Sequence, residues 1–470
     1  MRAFRKIDTF LSLHAPRVYS TVIWSFIGLM KPTAHRYGLL MYKRLKLSIL
    51  LLSALSLAAC AVTPNAAAEA GFNAPENVPT PSLKTNTPTE QRERQVRFDL
   101  WKTEFIQRAI AKGYEPRLVK TMISPAKINP LALQRDKSQP EFTSPVWTYV
   151  DKARSPSRVK NGQSKLNKHA SLLNQIEQRY RVDSSVLTAI WGLETSYGRI
   201  LGDYNLVSAL ATFAFEGRRV KFGEEQLFAT LDIVQSGAVR PAQLKSSWAG
   251  AMGMTQFIPT TIRDYAVDFD NDGNKDLWTN PADALGSAAH YLSRFGWRIE
   301  EPIYTEVKLP ANFDYNLSDG RKLSINDWTA KGVAPINGKR WSADAGFLEA
   351  KLLVLAGSKG PKLLTFKNFD VIKRYNNSTS YALGIASLSQ AYSGGGTFVQ
   401  DWPRDDKMVR HSDLMRLQKK LTALGYDTQG ADGIIGPNSR RAIRAWQTAN
   451  RLTADGYIEQ SLFNKIMAAQ

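Results

Sequence analysis

Apolar residues recur every three to four positions from near Gln91 to about residue 300, the spacing of helices with one buried face. A stretch from about 301 to 345 breaks that period. It is irregular, with strand character in Ile303-Tyr-Thr-Glu-Val-Lys-Leu-Pro. Helical patterns resume near Ala345 and stop at Tyr392-Ser-Gly-Gly-Gly, where Gly, Pro and charge mark a linker. The fold expected is mainly α, an α+β body with a small irregular or β part and a small three-helix unit after it.

One helical stripe contains an anomaly. Asp183 or Ser184 can cap a helix beginning in Val-Asp-Ser-Ser-Val-Leu-Thr-Ala-Ile-Trp-Gly-Leu-Glu-Thr-Ser-Tyr-Gly, and Gly198 ends the pattern. Val186, Ile190, Glu194 and Tyr197 share one face, so a carboxylate falls on the inward stripe. Buried, Glu194 resists ionisation and suits a general acid near neutral pH. Exposed or paired with an Arg, it is an ordinary surface Glu. The segment alone leaves both readings open.

Before residue 91 the pattern has other origins. Residues 41–60 run from basic Lys43, Arg44 and Lys46 through an apolar stretch to small residues, as a secretory signal does. The chain's one cysteine, Cys60, closes Leu57-Ala58-Ala59-Cys60, which resembles a bacterial lipobox and implies cleavage before an acylated Cys60. Ala61 is not Asp, which by resemblance to Gram-negative lipoproteins points to the periplasmic face of the outer membrane. Residues 1–40 are expected to be a non-native or disordered extension, with Met41 the natural start. Residues 61–94, rich in Pro, Ala, Asn and Thr at their start, read as a flexible tether.

Charge narrows the partners. The net charge of +20 favours an anionic partner: nucleic acid, membrane or an acidic wall polymer. Export and the absence of a basic aromatic motif weigh against nucleic acid.

The last 62 residues, 409–470, follow a linker at 398–408 and echo themselves. A Leu/Gln-rich helix leads to Ala431-Asp-Gly-Ile-Ile-Gly. Ala-Trp-Gln-Thr-Ala-Asn-Arg-Leu then leads to Ala454-Asp-Gly-Tyr-Ile-Glu. Asp-Gly suits a tight turn. Ser439, just after Pro437, is expected to cap the middle helix. The unit resembles the three-helix peptidoglycan-binding domain found beside wall-active enzymes.

Residues 95–397 carry a second resemblance. Gly-Leu-Glu-Thr-Ser-Tyr-Gly at 192–198 and the block from Ser246 to Leu292 resemble the B-type membrane-bound lytic murein transglycosylases. So do Gln139 to Ala153, Phe215-Glu-Gly-Arg-Arg and Phe369 to Leu383. The resemblance implies a lysozyme-like, mostly helical fold with a saccharide cleft, and peptidoglycan as substrate. It makes Glu194 the sole catalytic carboxylate, acid and then base, forming a 1,6-anhydro sugar with help from the substrate's N-acetyl group. It implies that Ser247 and Gln256 bind sugar or the acid, and that Tyr375, Asn376 and Tyr381 close over Glu194. Tyr149, Arg218 and Arg219 would line glycan and peptide. A muramidase would need a second carboxylate, for which Asp203 and Glu216 are sequence candidates. A non-catalytic wall-binding lipoprotein is the alternative of another class. Wall-synthesis proteins as partners are not legible.

Asp268-Phe-Asp-Asn-Asp-Gly-Asn-Lys-Asp begins like an EF-hand loop. Asp268, Asp270, Asp272, Asn274 through its carbonyl and Asp276 are the candidate ligands for a structural Ca²⁺ or Na⁺. The twelfth position, usually acidic, is Thr279. The chemistry itself is expected to require no cofactor.

Overall fold

The structure, a computed structural model, describes residues 87–137, 145–395 and 397–470. The 1–40 extension, the signal, Cys60 and Gln139 to Ser144 lie outside the described residues. Among those described, no helix is long and apolar enough to cross a membrane.

Eleven helices build the first layer: α1 (Pro88–Ala111), α2 (Pro116–Ile123), α3 (Pro130–Lys137), α4 (Val146–Ala153), α5 (Pro156–Lys168), α6 (Ala170–Tyr180), α7 (Ser184–Thr195), α8 (Leu206–Phe215), α9 (Val220–Gln235), α10 (Pro259–Tyr265) and α11 (Pro281–Arg294). Six of these open on proline, whose fixed φ and missing N–H suit a first turn. Thr87 and Glu90 cap α1 reciprocally, so residues 88–94, assigned to the tether, are helical. Short strands β1 (Tyr204–Asn205) and β2 (Lys245–Ser246) pair antiparallel.

A five-stranded antiparallel sheet follows: β3 (Tyr304–Lys308), β4 (Lys322–Ser324), β5 (Ala334–Pro335), β6 (Glu349–Val354) and β7 (Lys362–Thr365), in the order β4-β6-β7-β3-β5. Helix α12 (Ile325–Ala330) buries Trp328 against it. Near Ala345 there is only a 3₁₀ turn, Ala343–Phe347, and the run of longer α-helices resumes at Lys367. Along β6, Ala350, Leu352 and Val354 are buried on alternate positions, a period of two hidden in an apolar run. Pairing of Leu352 with Leu364 makes that run a central strand.

Helices α13 (Lys367–Tyr375) and α14 (Thr379–Tyr392) return to the helical layer. One core joins it: Trp147 of α4, Leu187 and Trp191 of α7, Leu210 of α8, and Tyr381 and Leu388 of α14. The segment 398–408 is packed down as a strap. Trp402 lies against Trp147, with ring centroids 5.8 Å apart, and Phe398 stacks on Tyr304 at 5.9 Å. Arg404 pairs with Asp151 at 2.6 Å.

The last unit is three helices, α15 (His411–Ala423), α16 (Pro437–Ala449) and α17 (Gln460–Ala468), around Leu417, Leu421, Ile443, Trp446 and Ile466. Gly436, not Ser439, is the N-cap of α16. Pro437 takes the first helical position, which places Ser439 inside, where its hydroxyl accepts from Gln418.

Candidate active site

Helix α7 positions the carboxylate. Its first turn is capped from outside, by Glu177, whose Oε2 accepts from the Ser184 N–H at 2.8 Å. Asp183 accepts from Trp297 Nε1 instead. Every residue from Val186 to Thr195 is buried, so the helix runs through the core and delivers Glu194 near its C-terminal end. Glu194 is 4% exposed.

The helix ends three residues before Gly198, on an unusual turn. Ser196, Tyr197 and Gly198 all have positive φ, at 50°, 62° and 82°. For two residues with Cβ atoms this is a costly conformation, and the surroundings hold it. Thr195 Oγ1 donates to the Met254 carbonyl at 2.7 Å and accepts from the Gly198 N–H. Tyr197 donates its hydroxyl to the Arg158 carbonyl at 2.6 Å and lies 3.0 Å from the Tyr392 hydroxyl.

Tyr381, on the first turn of α14, donates to Glu194 Oε1 at 2.6 Å. Glu194 Oε2 has no protein partner among the described residues. Burial pushes the Glu194 carboxyl up to about 8, against the opposing pull of the Tyr381 hydrogen bond. No neighbouring charge among the described residues contributes to that rise. Tyr381 and Tyr375 are held well above the usual phenol range by burial first and by the Glu194 charge next. They are donors, not bases.

The loop after β2 closes the other side. The Tyr375 hydroxyl donates to the Thr255 carbonyl, tying α13 to this loop. Gln256 has a φ of 51° and spends its amide N–H groups on the Leu201 and Gly253 carbonyls, which leaves Oε1 as an acceptor. Ser247 Oγ accepts from the Ala251 N–H, leaving its own proton to donate. Asn376 accepts from Ser378 at the start of α14. Tyr149 is buried on α4 and packs where α14 has Gly384, one turn beyond Tyr381.

Arg218 and Arg219 sit elsewhere in the bonding pattern. Both guanidiniums converge on the buried carboxylate of Asp136, at 2.9 and 2.7 Å. Glu216 is paired with Arg94, and Asp203 is exposed. Neither sequence candidate for a second carboxylate contributes to the rise at Glu194.

In the acidic loop, Asp268, Asp270 and Asp272 are joined by Asp283, with carboxylate oxygens within 4.8 Å of one another. Asp276 is not of this group. Its carboxylate accepts from the Trp278 and Thr279 N–H groups and the Thr279 hydroxyl. Asn274 donates its N–H to Asp272. Asp283 lies on α11, beyond the loop pattern, which is why spacing missed it. Tyr392 was missed for a similar reason: only packing brings it to Tyr197.

Comparisons with known proteins give the family. The Transglycosylase SLT domain family matches residues 97–390, and the peptidoglycan binding domain family matches 410–466. Membrane-bound lytic murein transglycosylase B of Escherichia coli strain K12 is 32% identical over 305 residues, 61% of this chain and 81% of that protein. The crystal structure of SltB3 from Pseudomonas aeruginosa in complex with NAG-anhNAM-pentapeptide superposes with a TM-score of 0.76 at 42% identity, over 79% of this chain and 99% of that one. Escherichia coli Slt35 in complex with calcium gives 0.54 at 30%, over 62% and 92%. A buried, protonatable glutamate under a tyrosine and two matched domains thus converge: the chain belongs to the lytic murein transglycosylases, enzymes that cleave peptidoglycan as lyases, and carries a peptidoglycan-binding domain behind the catalytic one.

Proposed function

We propose that Glu194 performs both proton transfers of a lytic cleavage between N-acetylmuramic acid and N-acetylglucosamine. The carrying observation is its isolation: a buried carboxyl lifted to about 8, one oxygen held by Tyr381, the other without a protein partner. Tyr381 donates to Oε1, so the acid proton resides on Oε2. Oε2–H protonates the glycosidic oxygen as the muramic C1–O bond breaks and the glucosamine 4-hydroxyl departs. The resulting carboxylate takes the C6 hydroxyl proton as O6 bonds to C1. Glu194 ends protonated, water is not consumed, and the product carries a 1,6-anhydro end.

Hydrolysis would need a group to activate water. Glu216 is committed to Arg94, which supports the lytic outcome over a muramidase. Mass spectrometry of muropeptides released from purified sacculi tests it. The anhydro product is lighter than the hydrolysed one by one water, and hydrolysed ends as the main product would refute the reading. In this reading Ser247 and Gln256 orient sugar substituents, Tyr149 and Tyr375 wall the cleft, and Asn376 sets the turn before α14. Arg218 and Arg219 act mainly through Asp136.

The wall-binding role of residues 410–466 would keep the enzyme on its polymer. Anchoring through acylated Cys60 to the outer membrane would hold it on the periplasmic side. Labelling with a fatty-acid analogue, lost in Cys60→Ser, tests the anchor.

A structural cation fits Asp268, Asp270, Asp272 and Asp283, an all-oxygen set of the kind calcium takes. Slt35, solved with calcium, supports that choice. Asp283, buried on α11, also accepts from the Phe269 and Asp276 N–H groups of the loop, at 2.7 and 2.8 Å. Bound there, the ion would tie the loop to α11.

A further inference from the structure

The echo in the last unit is a structural repeat of one device. In the first copy, Gln418 Nε2 donates to Asp432 Oδ1 at 2.9 Å, and the Gly433 N–H donates to Gln418 Oε1 at 2.7 Å. In the second, Gln447 Nε2 donates to Asp455 Oδ1 at 3.0 Å, and the Gly456 N–H donates to Gln447 Oε1 at 2.8 Å. In each, the residue after the glycine closes the turn by donating its N–H to the same Oδ1, Ile434 at 2.9 Å and Tyr457 at 3.0 Å. A buried glutamine therefore holds an Asp-Gly turn twice, and leaves each aspartate's Oδ2 outside the turn's own hydrogen bonds.

The second copy shows what such a turn grips. Asp455 Oδ2 accepts from both the N–H and the hydroxyl of Ser358, each at 2.8 Å. Tyr457 sits over Gly357, the residue before it. Gly357 has a φ of 57°, in the left-handed region. A Cβ of L configuration added there would lie 2.4 Å from Asp455 Oδ2 and 2.6 Å from Tyr457 Cβ. A D residue favours that backbone region and carries its Cβ on the opposite side of the Cα, away from both. The docked segment is thus a left-handed residue followed by a donating amide.

In the first copy, among the described residues, nothing is hydrogen-bonded to Asp432 Oδ2, and the His411 ring lies against Gly433. Asp432 is exposed, and Ile434, the counterpart of Tyr457, is 65% exposed. We infer that the Asp432–Ile434 turn is the ligand site of the last unit, and that it takes a peptide amide directly following a D-configured residue. The stem peptides of peptidoglycan supply this, in D-Ala–D-Ala ends and in cross-links made through D-Ala. The inference rests on the wall-binding reading above and assigns it to the peptide, not the glycan. The ligand N–H would donate to Asp432 Oδ2, and the D residue would lie under Ile434.

The test uses the full chain in a Glu194→Gln background, so that nothing is cut. The probe is the pentapeptide L-Ala–γ-D-Glu–diaminopimelate–D-Ala–D-Ala, with its isomer carrying L-Ala fourth, titrated calorimetrically. Asp432→Asn keeps the Oδ1 acceptor that builds the turn and replaces Oδ2 with a donor. It should weaken the D peptide about tenfold, as loss of one charge-assisted hydrogen bond does, with thermal unfolding unchanged. Ile434→Ser should weaken it as well, and the L isomer should bind about tenfold more weakly than the D peptide to wild type. Because the catalytic cleft also meets peptide, the difference between wild type and Asp432→Asn is the readout. Equal binding by Asp432→Asn, or equal binding of the two isomers, overturns the inference. If sacculi stripped of peptide retain the protein as well as intact sacculi do, the peptide assignment fails while the wall-binding reading stands. If intact sacculi do not retain it at all, the wall-binding reading fails.

Discussion

The hydroxyl of Tyr381 lies 2.6 Å from Oε1 of Glu194, a residue 187 positions earlier in the chain. That hydrogen bond favours the ionised carboxylate and so opposes the rise caused by burial. Tyr381→Phe removes the bond and keeps the ring. The Glu194 carboxyl should then rise further, and the alkaline limb of the pH–rate profile should move to higher pH. Turnover should fall about tenfold, because the proton is no longer confined to Oε2. Release of anhydro-muropeptides, followed as a function of pH, checks both effects. An unmoved alkaline limb would mean that another group sets it.

The carboxyl of Glu194 also makes stability depend on pH. Unfolded, it titrates near its ordinary value of 4.5; folded, it titrates at about 8. Below 4.5 both states are neutral and burial carries no ionic cost. Between 4.5 and 8 the unfolded chain releases the proton while the folded one keeps it, so stability falls as pH rises. Above 8 the loss is complete and constant. Glu194→Gln removes this dependence. The variant should gain on wild type steadily from pH 4.5 to 8 in thermal unfolding, then run parallel, while turnover drops at least 10²- to 10⁴-fold. A gap independent of pH would place Glu194 in water.

Much of this site was legible because Glu194 breaks a folding pattern: a carboxylate on an apolar stripe is visible in one dimension. The stripe also foretold burial of Val186, Ile190 and Tyr197. What stayed hidden depends on contacts between distant segments. Tyr392 reaches Tyr197 only through packing of α14 on α5 and α7, and Asp283 joins the acidic loop from the next helix. The β6 run was read as helix because Leu and Ala dominate it; its partner strand β7, not its own propensity, decides its form. Resemblance likewise singled out Arg218 and Arg219, but only the folded chain brings Asp136 between them.

The turn after α7 needs support at both ends, and Tyr197 supplies it. Tyr197→Phe deletes the bonds to the Arg158 carbonyl and the Tyr392 hydroxyl. The stability loss expected is about 1–2 kcal/mol. Gly192→Ala strikes the same lock from below, since an added Cβ would lie 2.7 Å from the Tyr197 ring. Both should lower kcat more than they raise KM, because the turn follows Glu194 directly and sets its position. A change confined to KM would instead assign Tyr197 to substrate binding.

Calcium should stabilise the folded chain through the Asp268, Asp270, Asp272 and Asp283 set. A ligand bound only by the native state raises stability by about 2.7 kcal/mol at one hundred times its dissociation constant. Wild type should therefore melt several degrees higher with calcium than with a chelator. Asp270→Asn, on the exposed rim, should abolish that difference, whereas Asp276→Asn should keep it. Retention of the full calcium shift in Asp270→Asn would remove Asp270 from the ligand set.

The last unit is fastened to the sheet and its loops at three places, one of them Arg440 of α16, which donates to the Val354 carbonyl of β6 at 3.4 Å. Arg444 of α16, a nearly buried side chain, bonds Asn316 at 2.9 Å and pairs with Asp319. Asp455 holds Ser358. Gly357 is the tightest point, because any L side chain there meets Asp455. Gly357→Ala should pry the Asp455 turn from the sheet and leave α15–α17 folded around their own core. Calorimetry should then resolve two thermal transitions where wild type gives one, with new protease sensitivity in the strap at 398–408. Cleavage of short soluble glycans, which on the proposed mechanism depends on Glu194 and not on the last unit, should persist at the wild-type rate. Loss of that activity together with the docking would show that the strap, through Trp402 on Trp147, also braces the helices that frame Glu194.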